Sequence, residues 1–268
     1  MTDTATSLTH LTLPANAGER LALGGVRGSA LSMLVAGAAS RHAGLVLVIT
    51  PDVQQAHQVE LETAFFLSGT GIPVQAFPDW ETLPYDVFSP LPELVSQRLR
   101  TLNRLPNLSK GALIVPVSTA LQRLAPESFL AAHSFLLAPG DRLSLNAMRR
   151  RLEQAGYQCV PQVMTHGEFA VRGSLLDLFP MGSPVPYRID LFDEEIETMR
   201  SFDPESQRTL EKVHRIELLP AREFPLDEAG IAHFRGAFRN SFEGNPGSSL
   251  IRYEPADPAA QRWRQHVI

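Results

Sequence analysis

The sequence predicts an α/β layer with a parallel sheet, into which a smaller α+β domain is inserted. Leu45-Val-Leu-Val-Ile-Thr50 and Leu113-Ile-Val-Pro-Val117 are short β-rich runs that alternate with helical patterns, the order of a parallel sheet. From about residue 127 to 213 the order changes to a helix followed by strands of period two, which is the pattern of an antiparallel meander.

Composition sets the bounds. The 268 residues leave room for two domains of ordinary size, and 44% hydrophobic with 20% charged residues is the balance of a globular chain. A net charge of -5 and a pI near 5.9 argue against a dedicated nucleic-acid binder. The one cysteine, Cys159, excludes an intrachain disulfide and suits a reducing compartment. No apolar run approaches the roughly 20 residues of a membrane helix. Met1 to Glu19 lacks the basic start of a signal peptide, so the cytoplasm is the expected location.

Met1 to about Leu11 reads as a frayed tail. Leu21-Ala-Leu-Gly-Gly-Val-Arg-Gly-Ser-Ala-Leu-Ser32, followed by the small apolar run Met33 to Ala39, reads as strand, glycine-rich turn and helix. That is the context of a phosphate-binding loop. On the pattern G-x-x-x-x-G-K-[ST], Gly25 takes the first glycine and Ser32 the final hydroxyl. Ala30 stands in place of the second glycine and Leu31 in place of the lysine. Leucine supplies neither charge nor donor to a β- or γ-phosphate. Either the likeness is accidental or the loop has lost its function, and neither reading supports nucleotide binding. No cofactor is expected.

Leu45 to Thr50 is expected to be a buried parallel strand, with a helix from Val53 to Leu67 after it and a short strand over Val74 to Phe77. Leu91, Leu94, Val95, Leu99 and Leu102 form an amphipathic stripe after Ser89-Pro90. Leu113 to Val117 is the next strand, and Thr119-Ala-Leu-Gln122 has capping-box spacing for the helix after it. Past Pro126 the composition shifts. Phe135 to Leu137 is a strand, and Leu145, Met148, Leu152 and Ala155 share one side of a helix that Gly156 stops. Arg149 to Arg151 reads as a phosphate-binding cluster or as that helix's wet face, and Glu153 supports the second.

The meander begins with Phe169 to Phe179, broken at Gly173 by a bulge or a close backbone approach. Met181-Gly-Ser-Pro184 turns the chain into Tyr187 to Phe192, and a tight turn leads to Ile196 to Phe202. On the middle strand, Tyr187, Ile189 and Leu191 form the core side, and Arg188, Asp190 and Phe192 share the outer side. Arg188 and Asp190 form a solvated cross-strand pair on one reading and, with Phe192, a protein-binding face on the other, since arginine and aromatic residues anchor interfaces. Ile216 to Pro220 and a helix from about Asp227 to Phe238 are expected to return to the first domain.

No metal-ligand spacing links the eight histidines, and no nucleophile stands near His166 and Glu168, so neither a catalytic set nor a metal site is assigned.

Several stretches together resemble one family. Asp79-Trp-Glu-Thr-Leu-Pro-Tyr-Asp86, Phe88-Ser-Pro90, Ile114-Val-Pro-Val117, His166-Gly-Glu-Phe169, Arg172-Gly173, Leu176-Asp-Leu-Phe-Pro-Met-Gly182 and Phe202-Asp203 look like the amino-terminal region of bacterial transcription-repair coupling factor, Mfd. The likeness runs from about residue 12 to 242. That region is similar to the first two domains of the excision-repair protein UvrB. The resemblance implies a degenerate helicase-like layer related to P-loop NTPases, domain 1a, over residues 1–126. It implies a UvrA-binding domain 2 over 127–213, a return into domain 1a/1b over 214–242, and an unassigned tail over 243–268.

Two departures from UvrB agree with the coupling factor. The phosphate loop is broken at Ala30 and Leu31, and Asp79 to Glu93, with Tyr85 alone, is too short for a DNA-inserting tyrosine-rich hairpin. What the resemblance leaves is an adaptor that recruits UvrA without being an enzyme. Its contacts fall by motif position on Arg172, Arg188 and Phe192, with Asp190 added from its place on the same face. In the whole family protein, RNA polymerase and DNA are engaged by other domains, including an ATP-driven translocase. The competing readings are an ATP-dependent helicase-type fragment and a DNA-contacting structural module. Arg188→Ala and Phe192→Ala are expected to weaken UvrA binding with the fold intact, and Tyr187→Ala or Leu191→Ala to lower stability.

Overall fold

In the computed structural model residues 12–82, 88–225 and 228–241 are described. Along the chain the elements are α1 (Ala30–Arg41), β1 (Leu45–Thr50), α2 (Val53–Phe66), β2 (Val74–Ala76), α3 (Pro92–Arg104), β3 (Gly111–Pro116), α4 (Val117–Ala120) and α5 (Glu127–His133). They continue with β4 (Phe135–Leu137), α6 (Leu145–Gln154), β5 (Gln158–Cys159), β6 (Glu168–Arg172), β7 (Leu175–Leu178) and β8 (Tyr187–Phe192). Last come β9 (Glu195–Phe202), β10 (Thr209–Lys212), β11 (Ile216–Leu218) and α7 (Glu228–Ser241). The architecture is mixed α/β, with a parallel sheet, a largely antiparallel sheet and a two-stranded antiparallel ribbon.

Two compact units divide the chain. The first holds residues 1–79 and 104–121, the second residues 80–103 and 122–268. In the first, β1, β3 and β2 form a parallel sheet in that order. Val46, Val48, Val74, Ala112 and Ile114 make its covered face, against Val35, Ala36 and Ala39 of α1 and Ala56 and Val59 of α2. Asp52 caps α2 by accepting the Gln55 N–H at 2.7 Å, which satisfies one otherwise orphaned donor.

Three expectations change here. The residues 21–24 form no strand, and Leu21 and Leu23 are exposed. β1 is an edge strand with Leu47 and Ile49 exposed, so the buried central strand is β3, where every residue is buried. α4 starts at Val117 rather than behind Thr119, because the Thr119 and Ser118 hydroxyls donate to the Asp79 carboxylate at 3.0 and 2.7 Å.

The second unit is built on a six-stranded sheet in the order β10-β9-β8-β7-β6-β5, antiparallel except for the short β5–β6 pair. One face carries Phe169, Leu176, Leu178, Ile189, Leu191, Ile196 and Met199 into the main core, beneath Leu99 of α3 and Met148 and Leu152 of α6. β4 and β11 pair beside it in a two-stranded ribbon. Arg149 donates to Glu153 at 3.0 Å and the Arg151 guanidinium lies 3.6 Å from the Phe135 ring centre, so that basic run is the solvated side of α6.

The grouping of segments differs from the sequence division. Residues 80–103 and β11 pack in the second unit rather than with the parallel sheet. Arg98 of α3 is fully buried and donates to both carboxylate oxygens of Glu223, 3.0 Å from Nη2 to Oε2. The Trp80 indole N–H donates to the same carboxylate at 2.9 Å. The Arg98 guanidinium also stacks 4.6 Å from the Trp80 ring centre. Gly182, at φ +83°, donates its N–H to Ser96 of α3 at 2.8 Å, and a β-carbon there would meet Leu219 at 2.7 Å. Tyr85, residues 1–11, Asp227 and the tail 243–268 lie outside the described residues.

Candidate functional site

The chain between residues 169 and 179 is a hairpin, not one bulged strand. Arg172 pairs with Leu175 across Gly173-Ser174, and Gly173 sits at φ +61°, the left-handed conformation that a two-residue turn needs and glycine adopts at no steric cost. β7 therefore lies between Arg172 on β6 and Arg188 on β8, and the two arginines are not on adjacent strands.

That intervening strand supplies Asp177, which the sequence reading did not single out. Asp177 stands opposite Arg188 in the register and is 3% exposed. Its carboxylate accepts from Arg188 Nε at 2.7 Å and Nη2 at 2.9 Å, and from Arg172 Nη2 at 3.1 Å. The two-point Arg188 contact is the strong planar geometry of guanidinium and carboxylate. Arg188 Nη1 also donates to the Gln207 carbonyl at 3.3 Å, and its guanidinium lies 5.0 Å from the Phe202 ring centre. The carboxylate hydrogen bond raises the Arg188 pKa above its ordinary value, so the cation is permanent. A lone acid inside the apolar run Leu175-Leu-Asp-Leu-Phe179 was the available signal.

Alternation on β8 is as expected. Ile189 and Leu191 are buried, Tyr187 packs against the core, and Arg188, Asp190 and Phe192 take the other side. Phe192 is 71% exposed and sits opposite Glu195 at the turn end of the β8–β9 hairpin. Asp190 faces Leu175 and Thr198, so the ion pair of Arg188 is made with Asp177 and not with Asp190. At the other end of this face, Val163, Ala170, Phe179 and Phe202 close a small second core. The face is thus graded from a packed end, through an arginine–carboxylate cluster, to an exposed aromatic ring.

His166 and Glu168 are engaged separately. A His166 ring nitrogen lies 2.8 Å from the Ser183 carbonyl and the ring stacks 3.9 Å from Phe179, centre to centre. Burial lowers its pKa. Glu168 accepts the N–H groups of Met164 and Thr165 at 2.7 and 2.9 Å.

In the first unit, Gly25 is at φ +75° and Ala30 opens α1. Leu31 packs beside Ala56, Val59 and Ile114. Ser32 is fully buried, and its hydroxyl donates to Glu62 of α2 at 2.6 Å. The loop's hydroxyl is therefore tied to a neighbouring helix. Among the described residues no group of three or more His, Cys, Asp and Glu side chains is placed to hold a metal, and no helix is long and apolar enough to cross a membrane.

Residues 135–224 match the family model of the UvrB interaction domain. The chain is 53% identical over 232 residues to the transcription-repair-coupling factor of Escherichia coli, covering 87% of this chain and 20% of that protein. It is 46% identical over 230 residues to the Haemophilus influenzae factor, covering 86% and 20%, and 33% identical over 217 residues to that of Myxococcus xanthus, covering 79% and 18%.

Proposed function

Because this chain belongs with the transcription-repair-coupling factors, as a region about a fifth of their length, we propose that it is an adaptor that recruits UvrA to stalled transcription through the outer face of its antiparallel sheet. The first unit then corresponds to a degenerate helicase-like layer and the second to the UvrA-binding domain. Phe192 carries the reading. A phenyl ring 71% exposed, on the face where Arg172 and Arg188 are already ordered by one carboxylate, is an aromatic and arginine anchor set arranged before any partner arrives. Engagement of RNA polymerase and of DNA belongs, on this proposal, to other parts of the relatives' length.

The module works without nucleotide. Leu31 is packed among apolar side chains and the Ser32 hydroxyl is committed to Glu62, so neither is free to meet a phosphate. Acidic balance and the absence of a lysine at position 31 count against the helicase-type and DNA-contacting readings. The test is a titration of this chain with purified UvrA, with and without duplex DNA, alongside ATP calorimetry. Saturable binding to UvrA independent of DNA, with no ATP heat, is expected. Failure of UvrA to bind would overturn the proposal.

A further inference from the structure

The sheet register aligns three cations in one rung. Lys212 of β10 stands opposite Arg200 of β9, and Arg200 stands opposite Arg188 of β8. Residues directly opposed across strands project from the same face, so Arg200 and Lys212 extend the face that carries Arg188 and Phe192. Like charges directly opposite destabilise a sheet. Asp177 neutralises Arg188 at one end of the rung. Arg200, half-buried, and Lys212, exposed, take no ion pair among the described residues. A β-bulge on β10 between Thr209 and Lys212 sets this register. Without the extra residue, Lys212 would turn to the opposite side.

We infer that the rung Lys212–Arg200–Arg188 is a docking strip for an acidic segment of the protein partner, with Arg200 a contact residue in its own right. This rests on the reading of UvrA as partner and names the chemistry that UvrA must present there. Cross-strand neighbours lie about 4.5–5.5 Å apart, a spacing at which two carboxylates of one peptide segment can each meet a cation. Asp190, one rung away on the same face, leaves room for isolated carboxylates while repelling a continuous polyphosphate. A charge of -5 on the whole chain acts in the same direction. A partner carboxylate would also relieve the repulsion between Arg200 and Lys212, so binding and rung stability are coupled.

The experiment measures purified UvrA affinity and melting temperature for the full chain, for Arg200→Glu, Lys212→Glu and their double variant, for Arg200→Lys, and for Arg123→Glu as an exposed basic control. The double variant is expected to bind at least about tenfold more weakly, with a melting temperature close to that of wild type, because it exchanges one like-charge pair between β9 and β10 for another. Arg200→Lys and Arg123→Glu should bind within about twofold of wild type. If the double variant binds UvrA as wild type does while Phe192→Ala is impaired, the strip is wrong and the UvrA reading stands. If wild type itself fails to bind UvrA, the underlying reading falls and the strip with it. DNA binding by wild type that the double variant loses would assign the rung to phosphate and overturn the inference.

Discussion

The Arg188 guanidinium holds the buried Asp177 carboxylate in a two-point grip, 2.7 Å to one oxygen and 2.9 Å to the other. The partners are unequally exposed, Asp177 at 3% and Arg188 at 22%. Losing the arginine is therefore worse for the fold than losing the acid, since a freed guanidinium can turn to water and the carboxylate cannot.

Arg188→Ala should accordingly cost about 2–4 kcal/mol of stability, contrary to the sequence-based expectation that this variant keeps the fold intact. Adding Asp177→Ala to it should recover part of that loss by removing a buried carboxylate left with the single Arg172 contact. Urea unfolding of both singles and the double provides the check. A double variant less stable than Arg188→Ala alone would show that the pair is not coupled in this way.

Phe192→Ala is the cleaner probe of binding. Its ring is mostly in water, so stability should change by less than about 0.5 kcal/mol, while UvrA affinity drops about tenfold or more. Leu191→Ala, one residue away and buried, should cost about 2–5 kcal/mol instead. Melting temperatures and binding isotherms for the two variants separate the faces of β8.

Glu223→Ala would leave Arg98 fully buried with its carboxylate removed. A loss of about 3–5 kcal/mol is expected, accompanied by a change in Trp80 fluorescence, because the indole N–H loses the same acceptor. Equilibrium unfolding followed by tryptophan emission measures both at once. A near-neutral result would mean that Arg98 does not depend on Glu223.

His166 links stability to acid. Burial lowers its folded pKa, so the native state favours the neutral ring. Its contribution is complete above the unfolded pKa and is lost as pH falls through the folded value. His166→Gln keeps a donor for the Ser183 carbonyl and removes the titration. Between pH 7.5 and 5.0 its melting temperature should fall less than that of wild type. Equal slopes would remove His166 as the source.

What the sequence by itself determined is local and periodic. Alternation over Tyr187 to Phe192 separates Ile189 and Leu191 from Arg188 and Phe192, because successive side chains on a pleated strand must point to opposite faces. The helical stripe through Met148 and Leu152 is legible for a similar reason. Tertiary structure alone decided which strands meet. Arg188 finds Asp177 rather than Asp190, Gly173 turns a hairpin rather than making a bulge, and β1 is an edge although its run reads as buried. Arg98 lies on a stripe that reads as apolar, yet is buried because Glu223, 125 residues away, supplies its counter-charge. Periodicity records which way a side chain points from its own backbone. Its partner depends on strand order and register, which are set by contacts between segments far apart in the chain.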